Sequence, residues 1–171
     1  MDDDSTVAVR ALFAAFNAGD LDGATQLVSD DFELVDFAAG ESFVGREGCR
    51  QWLQAFRTAL PDAQTELLQV IADGHRVATE HVGRGTHTGP FATPAGTIPA
   101  TGRTVEVAIA ETYEVHEGRI TRLHAYYDSA TLMRQMGLLP STGTTGERAM
   151  TTLMAQTVKV KQALKRRRRS Y

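Results

Sequence analysis

EGRITRLHAYYDSATLMRQMGLLP, residues 117–140, passes from strand to helix without a loop. Glu117 and Gly118 form a turn pair, and Arg119 to Tyr127 is rich in β-branched and aromatic residues, the composition of a strand. Ser129 to Met136 then carries apolar residues at helical spacing, with Gly137 past its end and Pro140 beyond it. Asp128 stands at the joint. In that place a carboxylate can cap the helix through its backbone N–H groups, or it can look into a pocket and move protons. Strict alternation from Ile120 puts Arg122, His124, Tyr126 and Asp128 on one strand face, with Thr121, Leu123, Ala125 and Tyr127 on the other.

Upstream, TVEVAIAETYEVH (104–116) supplies the strand that pairs across Glu117 and Gly118, with Glu111, Tyr113 and Val115 on one face. Glu111 among them is either an exposed cross-strand partner or a buried polar group in a cavity. Before it, residues 89–102 hold Pro90, Pro94, Pro99 and Gly96, a density that excludes a central strand and predicts a crossing or lid segment. TELLQVIADGHRVATEHVGRGTHTG (65–89) predicts another hairpin, turning at Asp73 and Gly74.

The first sixty residues are mainly helical. Val9, Leu12, Phe13 and Phe16 share one helix face after Ser5 or Thr6 as N-cap, and Asn17 to Gly19 supply a stop. Leu21, Ala24, Leu27 and Val28 predict a short second helix after Asp20, and FELVDF (32–37) a strand. Cys49, Trp52, Leu53, Phe56 and Leu60 form one helical stripe, ended by Pro61. The order of these elements predicts an α+β domain with helices packed on one face of a curved, mostly antiparallel sheet.

The chain has 171 residues, 42% hydrophobic and 23% charged, a globular composition in one domain of ordinary size. With an acidic N-terminus and no apolar run of about 18 residues, a cytoplasmic protein is expected. Cys49 is the only cysteine, which excludes internal disulfides and a cysteine-based zinc site. Up to Pro140 the chain carries 10 Arg, no Lys and 20 acidic residues; from Ser141 it carries 5 Arg, 3 Lys and one Glu. An acidic body (−10) and a basic tail (+7) set a boundary at Pro140, so residues 1–140 are expected as the domain and 141–171 as a helical or disordered extension. The tail could meet an anionic surface or an acidic partner.

VRALFAAFNAGDLDGATQLVSDDFELVD, GREGCRQWLQAFRTALPDAQTELLQVIADGHRVA, GRGTHTGPF, PATGRTV and the stretch quoted first together resemble the SnoaL-like polyketide cyclases, from Val7 to about Pro140. These belong to the nuclear-transport-factor-2-like superfamily of conical α+β barrels, whose curved sheet wraps around N-terminal helices. The resemblance implies an apolar pocket between sheet and helices, a homodimer through the sheet, and an intramolecular aldol ring closure on a polyketide-like, carbonyl-rich molecule without cofactor or metal. It also implies that Asp128, in YYDSATLMRQMG, is the acid/base. His81 and His124 stand where many relatives have tryptophan.

An apolar pocket suits this chemistry, because desolvation raises a carboxyl pKa toward working pH. Shared strand parity with Asp128 makes His124 a second candidate catalytic group and Tyr126 a substrate contact. Glu111, His81, His87, Trp52 and Phe16 are further candidates for the lining, His81 or His87 by orienting a carbonyl oxygen. No HxxxH or HExxH pair exists and Gly83 to Gly85 interrupts His81 and His87, so no metal is expected. Two alternatives remain: an epoxide hydrolase, which would need a second carboxylate paired through arginine, with Glu111 and Arg122 as candidates; and a module that binds a ligand or dimerises without catalysis.

Overall fold

Two long hairpins make most of the sheet. The computed structural model describes residues 4–93 and 96–168, the side chains of residues 4, 163, 164 and 166–168 aside. Pro94 of the proline-rich loop and Arg169 of the basic run lie outside the described residues. Helices α1 (Asp4–Ala18) and α2 (Leu21–Gln26) lead into β1 (Val28–Asp36) and β2 (Glu41–Val44), then α3 (Gly45–Ala59). The hairpin β3 (Gln64–Asp73) and β4 (Arg76–Thr86) follows, then a short one, β5 (Phe91–Thr93) and β6 (Gly96–Ile98). The second long hairpin is β7 (Thr104–His116) and β8 (Arg119–Tyr127), before α4 (Ser129–Gln135) and α5 (Thr145–Arg168).

Six strands lie in the order β2-β1-β8-β7-β4-β3, with β1 and β8 parallel and every other neighbour antiparallel. This is the α+β architecture expected. The β7–β8 turn is Glu117–Gly118, with φ of 51° and 72°, the paired positive values of a type I′ hairpin. Apolar helix faces close one side of the sheet: Val9, Leu12, Phe13 and Phe16 of α1 are buried, as are Cys49 and Leu53 of α3. Burial pushes the Cys49 thiol up to about 12, which makes it an inert core residue.

Several boundaries depart from the sequence reading. Ser5 lies inside α1, where its hydroxyl donates to Gly74 O at 3.0 Å and ties the helix to the β3–β4 turn. Asn17, expected as a helix stop, also clamps α1 to β3: its Nδ2 donates to Thr65 O (2.8 Å) and its Oδ1 accepts from Thr65 N (2.7 Å). Val28 belongs to β1 rather than α2, and Phe37 lies past the end of β1. β2 was not foreseen, because four residues against one neighbour carry little periodicity. The loop after β4 holds the small β5–β6 hairpin and crosses the end of α3 at Gly89, where a Cβ would meet Thr58 O at 1.9 Å. Only glycine fits there.

Candidate active site

One irregularity in β8 decides which side chains face the helices. Val115 pairs with Ile120 and Glu114 with Arg122, so Thr121 is an extra residue on β8. Such a bulge inverts the alternation beyond it. Ile120 faces the core, but past the bulge the inward set becomes Leu123, Ala125 and Tyr127. The expected set of Arg122, His124, Tyr126 and Asp128 is therefore on the wrong side.

Tyr126 is exposed and stacks on Phe37 on the outer face, with ring centroids 4.9 Å apart. His124 meets Phe37 edge-on at 5.3 Å. Arg122 pairs with Glu33 and Glu114, both on the outer side, so the arginine bridge to Glu111 that an epoxide hydrolase would use is absent among the described residues. Asp128 is exposed and caps α4, accepting from Thr131 N (3.0 Å) and Thr131 Oγ1 (2.6 Å). Those bonds hold its carboxyl below the usual range, opposite to what a proton shuttle at neutral pH needs.

Between the sheet and α1, α3 and α4 lies a cavity of about 120 Å³, walled mainly by apolar side chains. Leu12, Phe13 and Phe16 come from α1, Trp52 and Phe56 from α3, Leu132 and Met136 from α4 and the residue after it. From the sheet come Val105, Val107, Ile109 and the inward residues of β8. Three polar groups enter this wall together: His81, Glu111 and Tyr113.

Sheet register explains their meeting. Glu111 and Tyr113 are two residues apart on β7, and His81 pairs with Ile109 on the neighbouring strand, so all three share one face. Tyr113 donates its hydroxyl to Glu111 Oε2 in a short hydrogen bond. His81 Nδ1 lies 3.9 Å from the same oxygen, outside hydrogen-bond range, and has no partner among the described residues. Glu111 Oε1 accepts no hydrogen bond from them either, so one carboxyl oxygen of the pair is left unbonded.

Burial governs the ionisation of all three. Desolvation pushes the Glu111 carboxyl up to about 7, helped by the field of Asp36 and opposed by the Tyr113 bond. Burial also lowers His81 to about 4, so its ring is neutral across the physiological range and the contact is no ion pair. Tyr113 is raised well above its ordinary value, first by burial and then by Glu111. It stays a hydroxyl donor.

Asp36 was not anticipated. It is 1% exposed at the end of β1, where Oδ1 accepts from Ala38 N (3.0 Å) and Ala39 N (2.8 Å). Its Oδ2 accepts from Trp52 Nε1 (3.1 Å) and the Tyr127 hydroxyl (3.2 Å), fastening two cavity walls. In register, Asp36 pairs with Ala125 and Ala125 with Glu111, so two buried carboxylates flank one alanine. Their backbones stand two strand spacings, about 10 Å, apart. A sequence signal existed: an acid near the end of the apolar run FELVDF, 16 residues before the only tryptophan.

Of the residues expected at the site, Glu111, His81, Trp52 and Phe16 line the cavity. His87 does not. It is fully buried just past β4, with Nδ1 3.0 Å from Thr101 Oγ1, and its backbone anchors Thr101, Gly102 and Arg103, so it secures the loop.

The family model for SnoaL-like polyketide cyclases matches residues 6–136. IdmH of Streptomyces antibioticus, a proposed polyketide cyclase, is similar at 28% identity and a TM-score of 0.66, covering 78% of this chain and 98% of that one. AclR of Streptomyces galilaeus, a proposed hydroxylase, is 23% identical with a TM-score of 0.68, covering 80% and 97%. A Catenulispora acidiphila protein with a ketosteroid isomerase-like fold is 23% identical with a TM-score of 0.65, covering 77% and 92%. No curated protein matches the chain.

Proposed function

Because this chain belongs to the SnoaL-like polyketide cyclase family, we propose that it is a cofactor-independent cyclase or isomerase for an apolar, carbonyl-rich, polyketide-like molecule, with Glu111 in place of Asp128 as acid/base. The observation that carries this reading is a buried carboxyl, raised to about 7, in the wall of an apolar cavity. Near that pKa a carboxylate is present at neutral pH and basic enough to take a proton from a carbon between two carbonyls. The enolate then attacks a second carbonyl of the same molecule, forming the ring bond. Its alkoxide takes back the proton Glu111 removed, so atoms and charge balance without oxidant or metal.

Neutral His81 bears on the enolate oxygen, where a ring N–H stabilises developing negative charge by hydrogen bonding, while the Tyr113 hydroxyl, committed to Glu111 Oε2, leaves the other carboxyl oxygen to take the proton. Ala125, between Glu111 and Asp36, leaves room above the sheet for a flat substrate, and Asp36 positions Trp52 and Tyr127 around it. Hydrogen–deuterium exchange at the central carbon of a small 1,3-diketone tests the proton transfer without knowledge of the natural substrate. The protein should accelerate exchange, and Glu111→Gln should reduce it by at least about a hundredfold. Equal exchange in the two proteins would leave a binding module as the better description.

A homodimer through the sheet is part of the same proposal. Support comes from Phe37, Leu68, Ile71 and Tyr126, large apolar residues exposed on β3, β8 and the β1–β2 turn. Light scattering at micromolar concentration distinguishes a dimer from a monomer.

A further inference from the structure

Helix α5 lies outside the family's match, which ends at residue 136, and it has no role in the cavity. Its 24 residues extend about 36 Å, and every residue from Thr151 to Gln162 is exposed. Leu153, Met154, Val158 and Val160 are each more than half exposed. At about 100° per residue these four and Met150 fall within an arc of about 160°. Lys159 and Lys161 bracket Val160 and Lys165 follows, Lys161 and Lys165 lying within the same arc, and the sequence continues with Arg166 to Arg169. The helix thus presents an apolar stripe whose C-terminal part is interleaved with lysines.

We propose that α5 is an interfacial helix that docks the protein on an anionic phospholipid surface. Nucleic acid would satisfy the cations but leave the apolar stripe in water. Pairing of two α5 helices side by side would bring the lysines of both copies together with Glu147 as the only acid. The outer sheet face of a second copy is a poor acceptor too, since Glu66 and Glu106 are paired with Arg84, and Glu33 and Glu114 with Arg122. A lipid interface takes both parts: the stripe enters the acyl boundary, while the lysines extend to the headgroups on their methylene stems.

Flotation of the full chain with vesicles of phosphatidylcholine alone, or containing 30% phosphatidylserine, tests this. Binding should need phosphatidylserine and weaken with salt. Changing Lys159, Lys161 and Lys165 together to Gln should reduce it roughly a hundredfold, at about fivefold per cation. Leu153→Gln with Val160→Gln leaves the charge unchanged and should also reduce it at least tenfold. Because α5 stands apart from the cavity, thermal midpoints should match the parent in both variants. Failure to bind phosphatidylserine vesicles, binding equal on both compositions, or undiminished binding by the Leu153/Val160 variant would overturn the proposal; the last result would point to a soluble polyanion instead.

Discussion

Glu111→Gln removes a charge that the fold must otherwise bury, and its effect should grow with pH. In the folded protein the carboxyl is raised from 4.5 to about 7, so folding favours its protonated form. Its contribution is fully present below pH 4.5 and is lost as pH rises through about 7, because the unfolded chain then ionises freely while the folded one resists. From about pH 5 to pH 8.5 the folded state should lose on the order of 2 to 3 kcal/mol through this group alone. Gln keeps the size and can accept the Tyr113 hydroxyl, so no cavity term intrudes. Thermal melts of both proteins across this range are the assay. Stability of the variant relative to the parent should rise by that amount, about 5 to 10 °C in midpoint at this chain length. Parallel pH profiles would refute the reasoning, since they would mean that Glu111 is solvated or already ionised in the fold.

Other substitutions separate the remaining roles. His81, lowered to about 4, supports the fold above pH 6.5, and that support is lost as pH falls toward 4; His81→Gln should flatten this acid limb in melts, and histidine ring resonances should show one group titrating near pH 4. Asp128→Asn should keep the α4 cap and leave diketone exchange unchanged, whereas Asp128→Ala should lower the melting midpoint; loss of exchange in the Asn variant would return the acid/base role to Asp128. Asp36→Ala leaves Trp52 Nε1, the Tyr127 hydroxyl and two backbone N–H groups without their acceptor and should cost at least about 2 kcal/mol in denaturant melts, with a shift in Trp52 emission. Trp52 is the only tryptophan and lines the cavity, so an aromatic β-diketone that binds there should quench the protein's fluorescence, and binding without quenching would place the ligand elsewhere.

Local chemistry in the chain was enough for the architecture. Helical stripes such as Cys49, Trp52, Leu53 and Phe56, and the turn pair at Glu117–Gly118, each act within a few residues, so the elements and their order can be read in one dimension; the first long hairpin turns one residue later than expected, at Gly74–His75, with Asp73 still paired to Arg76. Glu111, Tyr113 and Val115 were also correctly grouped, because β7 keeps its alternation through that stretch. The identity of the cavity's polar groups depended on pairing between strands. One extra residue at Thr121 turns His124, Tyr126 and Asp128 outward and brings Leu123, Ala125 and Tyr127 in, a change that leaves no mark in a pattern of period two. Likewise, Asp36 and Glu111 lie 75 positions apart in sequence and flank Ala125 only once β1 has docked in parallel on β8. Composition and periodicity therefore determined what the chain builds, and the register of its sheet decided which carboxyl is kept from water.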